Sequence, residues 1–224
     1  MPRHEPARSP AAPRLAEALA TTVVPLGDGV SWSGADVGPE GSFSGTVSDY
    51  EVLGSRLQGV RLTAAVLERG RWTDVVVVGC ELSGVTLDDA VLTRVEFDGC
   101  RMSGLVAMGL NARDVRFVDC KLDGANFRGS TLERCAFEDC DLAGGDFYGT
   151  RFAPGAVRRC TLAEAEFSRA KCDGLDLRGS DLAGIRGAPS FRGCVVTSDQ
   201  MVALGLALLS TIDVQVRDEG PPPG

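Results

Sequence analysis

Along most of the chain, apolar side chains recur every five residues. Of the 31 positions ending in 2 or 7 between Trp32 and Leu182, only Ser42 is not apolar. Positions ending in 0 or 5 over the same span are mostly Ala, Cys, Val, Gly, Ser or Thr, and only Glu40 is charged. A period of five matches neither the 3.6 of a helix nor the 2 of a strand. It matches a strand so short that two inward side chains, two residues apart, flank one outward residue before the chain turns a corner. Glycine marks that corner: 15 of the 28 glycines lie at positions ending in 4 or 9 between Gly34 and Gly184. A corner that needs positive φ selects a residue without Cβ.

A longer period lies above the short one. Residues 75–82 (VVVVGCEL), 95–102 (VEFDGCRM), 115–122 (VRFVDCKL), 135–142 (CAFEDCDL) and 156–162 (AVRRCTL) align at intervals of 20, with Cys80, Cys100, Cys120, Cys140 and Cys160 in one column. Four pentads per repeat predict an all-β, four-sided coil whose turns stack about 4.8 Å apart, as in any parallel ladder. Phe117, Phe127, Phe137, Phe147, Leu122 and Leu142 are then core residues. Where the large inward residue shrinks to Ala107 or Ala112, the residue two positions back grows to Leu105 or Leu110. Volume is conserved within the pair, as a close-packed interior requires.

The ends read differently. Residues 1–27, with Pro2, Pro6, Pro10 and Pro13, predict a disordered tail holding at most two turns of helix over residues 14–20. The coil spans residues 28–193, with a bulge or loop predicted near 38–44, where Glu40 and Ser42 fall on inward positions and Phe43 is one residue out of register. Thr197 and Gln200 have the spacing of a capping box, and Val196 and Met201 that of a hydrophobic staple. A helix over 198–209 and a short strand through Ile212, Val214 and Val216 follow, so that residues 194–216 form a cap and 217–224 a loose tail. That helix is apolar on more than one face, which makes Met201, Val202, Leu206 and Leu209 candidate contacts between two copies.

Pentads such as CDLAG (140–144), ANFRG (125–129) and SDLAG (180–184) resemble the pentapeptide-repeat family, whose consensus is A-(D/N)-L-x-x, over roughly residues 30–186. The resemblance implies a right-handed quadrilateral β-helix with a C-terminal capping helix. The uninterrupted register is similar to that of mycobacterial fluoroquinolone-resistance members. For this chain the likeness implies a rod-shaped homodimer that imitates a DNA duplex and binds DNA gyrase.

Charge narrows the partners. With 31 acids against 23 bases the net charge is −8, which disfavours direct binding of nucleic acid. No apolar run is long enough to span a bilayer, and the opening residues lack the apolar core of a signal peptide, so a cytoplasmic protein is expected. Its eight cysteines are then expected reduced. Stacked along a line, with no Cys-x-x-Cys spacing and no histidine beside them, they cannot surround a tetrahedral metal ion. The single histidine, His4, lies in the proline-rich tail, and a filled core leaves no interior site, so neither a catalytic constellation nor a cofactor is expected. The candidate acidic partner surface is Glu96, Asp98, Asp119, Glu138 and Asp139 on one face, with Asp123, Asp141 and Asp146 on the next two. A basic column (Arg71, Arg94, Arg113, Arg134, Arg151, Lys171) runs elsewhere, and Arg158, Arg159 and Arg178 interrupt the acids. Two functions fit. One is a DNA-mimicking binder that protects or inhibits a type II topoisomerase, and the other is an interaction scaffold for an unrelated protein.

Overall fold

The computed structural model describes residues 9–22, 26–212 and 214. The chain winds into a right-handed, four-sided β-solenoid in which every strand pairing is parallel. Five eight-residue strands, Arg71–Val78, Val91–Asp98, Asn111–Val118, Thr131–Glu138 and Arg151–Arg158, stack in register at 20-residue steps and cover two adjacent faces. The other two faces are narrower ladders. One steps through Arg61, Glu81, Arg101, Lys121, Asp141, Thr161 and Asp181, and the other through Thr86, Val106, Asn126, Asp146, Glu166 and Arg186.

Inside, the five-residue pattern becomes two columns of stacked rings. Phe97, Phe117 and Phe137 lie nearly parallel with centroids 4.9 and 4.6 Å apart. Phe127, Phe147 and Phe167 form the second column at 5.4 and 4.7 Å. The columns meet edge to face, as between Phe127 and Phe137 at 5.8 Å and 78°, a geometry that aromatic quadrupoles favour. Phe117, Phe127, Phe137, Phe147, Leu122 and Leu142 are all buried, as are Leu105, Ala107, Leu110 and Ala112.

The small inward residues do more than make room. Each column cysteine is buried and donates its S–H to a carbonyl 23 residues earlier, as Cys100 does to Val77 (3.4 Å) and Cys120 to Phe97 (3.5 Å). Ser130, Thr150 and Ser180 make the same bond with hydroxyls, to Ala107 (2.8 Å), Phe127 (2.6 Å) and Val157 (2.8 Å). Cysteine in this position is therefore a small, weakly polar donor. Burial pushes the Cys135 thiol up to about 12. Along the stacked column, neighbouring sulfurs push Cys80, Cys120 and Cys160 up and pull Cys100 and Cys140 down.

Positive φ falls at the corners, as the glycine pattern predicts, yet thirteen non-glycine residues take it too, all at positions ending in 4 or 9. Six are aspartates, a residue type that tolerates this region. Glycine is compulsory where backbones collide: a Cβ on Gly187 would come within 2.2 Å of the Ser168 nitrogen. There the coil ends, and a short 3-10 turn, Ala188–Phe191, follows.

Irregularity at 38–44 takes the form of a 3-10 turn, Pro39–Gly41. Ser42 faces outward, its hydroxyl accepting from the Arg61 N–H (3.0 Å), while Phe43 leans on the core. At the far end the capping box is present at Thr197 and Gln200. Gln200 is buried, and its amide donates to the carbonyls of Leu177 and Ser180 at 2.7 Å each, satisfying oxygens that the coil leaves open. The helix Met201–Ser210 then packs Ala203, Leu204 and Ala207 against the core. Met201 is 65% exposed, so the staple contact adds little here. Ile212 sits in a turn, and the rest of the expected strand, but for Val214, lies outside the described residues.

The short helix expected over residues 14–20 is corrected: residues 17–18 bend, no helical turn forms, and the segment meets the coil at Asp114, Asp74 and Ala35. Ala20–Thr22 is a strand that pairs in parallel with Ala35–Val37. Pro10 and Pro13 forbid a helix upstream. Two helical turns could not compete with an open strand edge that offers backbone partners.

Candidate interaction surface

The corners carry a device that the sequence does not announce. Four times an aspartate at a corner meets an arginine at the same corner one coil later, both at positive φ: Asp49–Arg69, Asp74–Arg94, Asp114–Arg134 and Asp139–Arg159. In each pair Nε and Nη2 of the arginine grip the two carboxylate oxygens. The distances are 2.6 and 2.7 Å for Asp74, 2.8 and 2.8 Å for Asp114, and 2.7 and 2.7 Å for Asp139. The two-pronged geometry matches guanidinium to carboxylate, and the bonded arginine holds each of these carboxyls below its ordinary range.

Several of the acidic residues expected from sequence to form a partner surface already have partners within the rod. Asp139 is gripped by Arg159. Arg116 lies between Glu138 at 2.6 Å and Glu96 at 3.7 Å. Asp146 binds Arg128 at 2.8 Å, and that guanidinium lies 4.4 Å from the centre of the Tyr148 ring. Asp123 accepts from the Ser103 hydroxyl at 2.5 Å. Asp141 accepts from the Ala143 N–H at 3.1 Å and stands in register with Lys121. Asp98 and Asp119 are exposed. Arg158 and Arg178, which interrupt the acids in sequence, converge on the buried Asp176 at 2.5 and 2.8 Å. Burial works against ionisation of Asp176, but Arg178 and Arg158 outweigh it and hold the carboxyl down to about 2.

Half of the basic column is paired: Arg94 and Arg134 belong to corners and bind Asp74 and Asp114, and Arg113 binds Glu133 at 2.7 Å. Much of the charge on these faces is thus held in ion pairs between neighbouring coils. Among the described residues no group of three or more His, Cys, Asp or Glu is placed to hold a metal ion, and no helix is long and apolar enough to cross a membrane. A hollow of about 490 Å³ beside Asp49, Arg69 and Arg71 is an open surface groove. On the terminal helix, Met201, Val202 and Leu206 are 65%, 73% and 56% exposed, while Leu209 is half-buried.

Comparison with known proteins places this architecture. A family model described as a pentapeptide repeat region matches residues 90–167 and 111–186, and a second, for eight copies of the pentapeptide repeat, matches residues 73–104. No curated protein sequence matches. Among solved structures, HetL, a pentapeptide repeat protein involved in heterocyst differentiation regulation in a Nostoc cyanobacterium, is similar with a TM-score of 0.51 and 16% identity, over 78% of this chain and 86% of its own. QnrB1, a plasmid-mediated fluoroquinolone resistance protein, in a trypsin-treated form, gives 0.41 and 16% over 88% and 100%. A pentapeptide repeat protein of the Arabidopsis thaliana thylakoid lumen gives 0.27 and 24% over 49% and 73%. Together with the five-residue register and the four-sided coil, the matched residues 73–186 show that the chain belongs to the pentapeptide repeat family.

Proposed function

We propose that the protein is a non-enzymatic rod that binds a protein partner through its outer faces. The observation that carries this reading is the division of labour in the coil. The inward positions are filled by stacked phenylalanine and small donors, so chemistry is confined to the flat outer faces, where charges repeat at coil spacing on a rigid frame. Rigid repeat faces of this kind suit extended macromolecular contacts.

A narrower form of the reading has the rod occupy a type II topoisomerase, DNA gyrase, as a duplex would. It is favoured by the net charge of −8 and the exposed Asp98 and Asp119. It is opposed by the arginines bound to Glu96, Glu138, Asp139 and Asp146. Supercoiling by purified gyrase, with and without a fluoroquinolone, separates the two. Inhibition of supercoiling, or reduced drug-stabilised cleavage, at micromolar protein supports the narrower form. Absence of both rejects it and leaves the rod to a different protein partner.

Self-association belongs to the same proposal. The terminal helix turns Met201, Val202 and Leu206 to water, and a two-fold contact through that face would join two rods end to end. Val202→Asp with Leu206→Asp should give monomers with an unchanged β-sheet spectrum. Wild-type protein that sediments as a monomer at tens of micromolar would show that the face is not a dimer contact.

A further inference from the structure

The N-terminal arm is held on the rod by two specific bonds. The Ala11 N–H donates to Asp114 Oδ1 at 3.1 Å, and the Arg14 N–H donates to Asp74 Oδ1 at 3.0 Å. Both carboxylates sit at the same corner of the coil, 40 residues apart. Two coils at about 4.8 Å place them about 9.6 Å apart. Three residues of extended, proline-type chain at about 3.1 Å each cover about 9.3 Å. The two repeats match to within a few tenths of an ångström. Both donors directly follow a proline, Pro10 and Pro13, and those prolines are the residues that lean on the rod, while Ala11, Ala12 and Arg14 remain exposed. Arg94 and Arg134, the corners next in line, bind the same two carboxylates and fix their orientation. Beyond Arg134 the corner passes to Pro154 and Gly174, so the column offers two seats. Between the arm and the face that carries Val95, Glu96, Arg116 and Glu138 lies a cleft of about 200 Å³.

We propose that this corner is a peptide-binding track for an extended Pro-x-x-Pro segment, occupied in the resting protein by residues 9–14 of its own chain. Specificity comes from three elements: carboxylates at two-coil spacing, donors at three-residue spacing, and proline rings that hold the ligand extended. Tethering makes the arm a strong competitor, because a segment on the same chain acts at a high effective concentration. The track stands whether or not the rod binds a topoisomerase.

The test uses the full chain. Ala11→Pro with Arg14→Pro removes the two N–H donors and places ring atoms where the hydrogens were, without touching the rod. A fluorescent peptide with the wild-type sequence of residues 6–17 is added in trans, together with a peptide that carries the two prolines. Saturable binding of the wild-type peptide to the variant below ~1 mM, with at least a tenfold loss for the proline peptide and for a variant that also carries Asp74→Asn and Asp114→Asn, supports the track. Wild-type protein should bind the same peptide at least tenfold more weakly. Amide exchange supplies a second readout: Ala11 and Arg14 should be protected in the wild type and should exchange at least tenfold faster in an Asp74→Ala, Asp114→Ala protein, which keeps both amides. Equal exchange at Ala11 and Arg14 in those two proteins, or no binding of the wild-type peptide to the proline variant while its β-sheet spectrum is intact, would overturn the proposal.

Discussion

One corner device occurs in two settings. Asp49–Arg69 and Asp139–Arg159 stand in the open, with side-chain exposures of 68% and 48% in the first pair and 49% and 55% in the second. Asp74–Arg94 and Asp114–Arg134 share the spacing, the positive φ and the two-pronged grip, yet their aspartates are only 13% and 9% exposed. Coil geometry supplies the pair in every case, and the surroundings set what it is worth. An exposed pair gains little, since water screens the attraction and ordering two side chains costs entropy. A covered pair has given up its water, so removing one member leaves a charge and an N–H without partners. Each covered aspartate also accepts a backbone N–H from the N-terminal arm, a segment outside the repeat.

Both kinds of pair decorate a rod that the core holds together, and the largest expected effect lies there. Phe137 is fully buried between Phe117 at 4.6 Å and the edge of Phe127 at 5.8 Å. Phe137→Ala should cost roughly 3 to 5 kcal/mol, read as a shift in the urea midpoint. A loss smaller than that of any corner variant would reverse the order of importance and break the comparison at its base.

The next effect separates the two settings directly. Asp114→Asn removes a charge from a covered pair that also receives the Ala11 N–H, and should cost about 1–3 kcal/mol. Asp139→Asn, in the open pair, should lower the midpoint far less. Equal losses would mean that the arm is not what gives the inner pairs their weight. Acid should expose the same contrast. Asp74 and Asp114 are held below their unfolded values, first by Arg94 and Arg134. Their contribution is therefore present above about pH 4, the unfolded carboxyl value, and is lost as pH falls through the lower folded values. Asp176, held down to about 2, follows the same sign and fades between about pH 4 and pH 2. Protection of the Ala11 and Arg14 amides, corrected for intrinsic exchange, should fall as pH drops below about 4 and these carboxyls protonate, and protection that persists once they are protonated would contradict the assignment.

The coil was legible because each of its rules repeats. Inward positions, corners and the cysteine column each recur many times, so single exceptions such as Ser42 stand out against the period. Contacts made once were not legible. The arm has no period of its own, and its match to the corner emerges only when a three-residue spacing is set against a 40-residue one in three dimensions. The acidic face was legible only in part for a related reason. The sequence places Arg159 among the acids, but its grip on Asp139, 20 residues away in the chain and 2.7 Å away in the fold, emerges only from the coil. Glycine likewise pointed to the corners while hiding that Asp and Arg occupy them as pairs.

The smallest expected effect sharpens the comparison from the inside, where a buried donor carries no charge. Cys120 donates its S–H to the Phe97 carbonyl at 3.5 Å and to the Val118 carbonyl at 3.2 Å. Its exposure is 2%. A thiol is a weak donor, and those carbonyls lie within a parallel ladder, so little depends on the bond. Cys120→Ala should cost no more than about 1 kcal/mol, mainly through a small loss of packing. Cys120→Ser should keep a donor, as Ser130 and Ser180 show at equivalent positions. Because neighbouring sulfurs and burial raise this thiol and its side chain is enclosed, Cys120 should resist alkylation at pH 8 in native protein, and denatured protein should show all eight thiols without reductant. A loss for Cys120→Ala as large as that for Asp114→Asn would mean that the inner hydrogen bonds, and not the covered ion pairs, are the costlier ones to break.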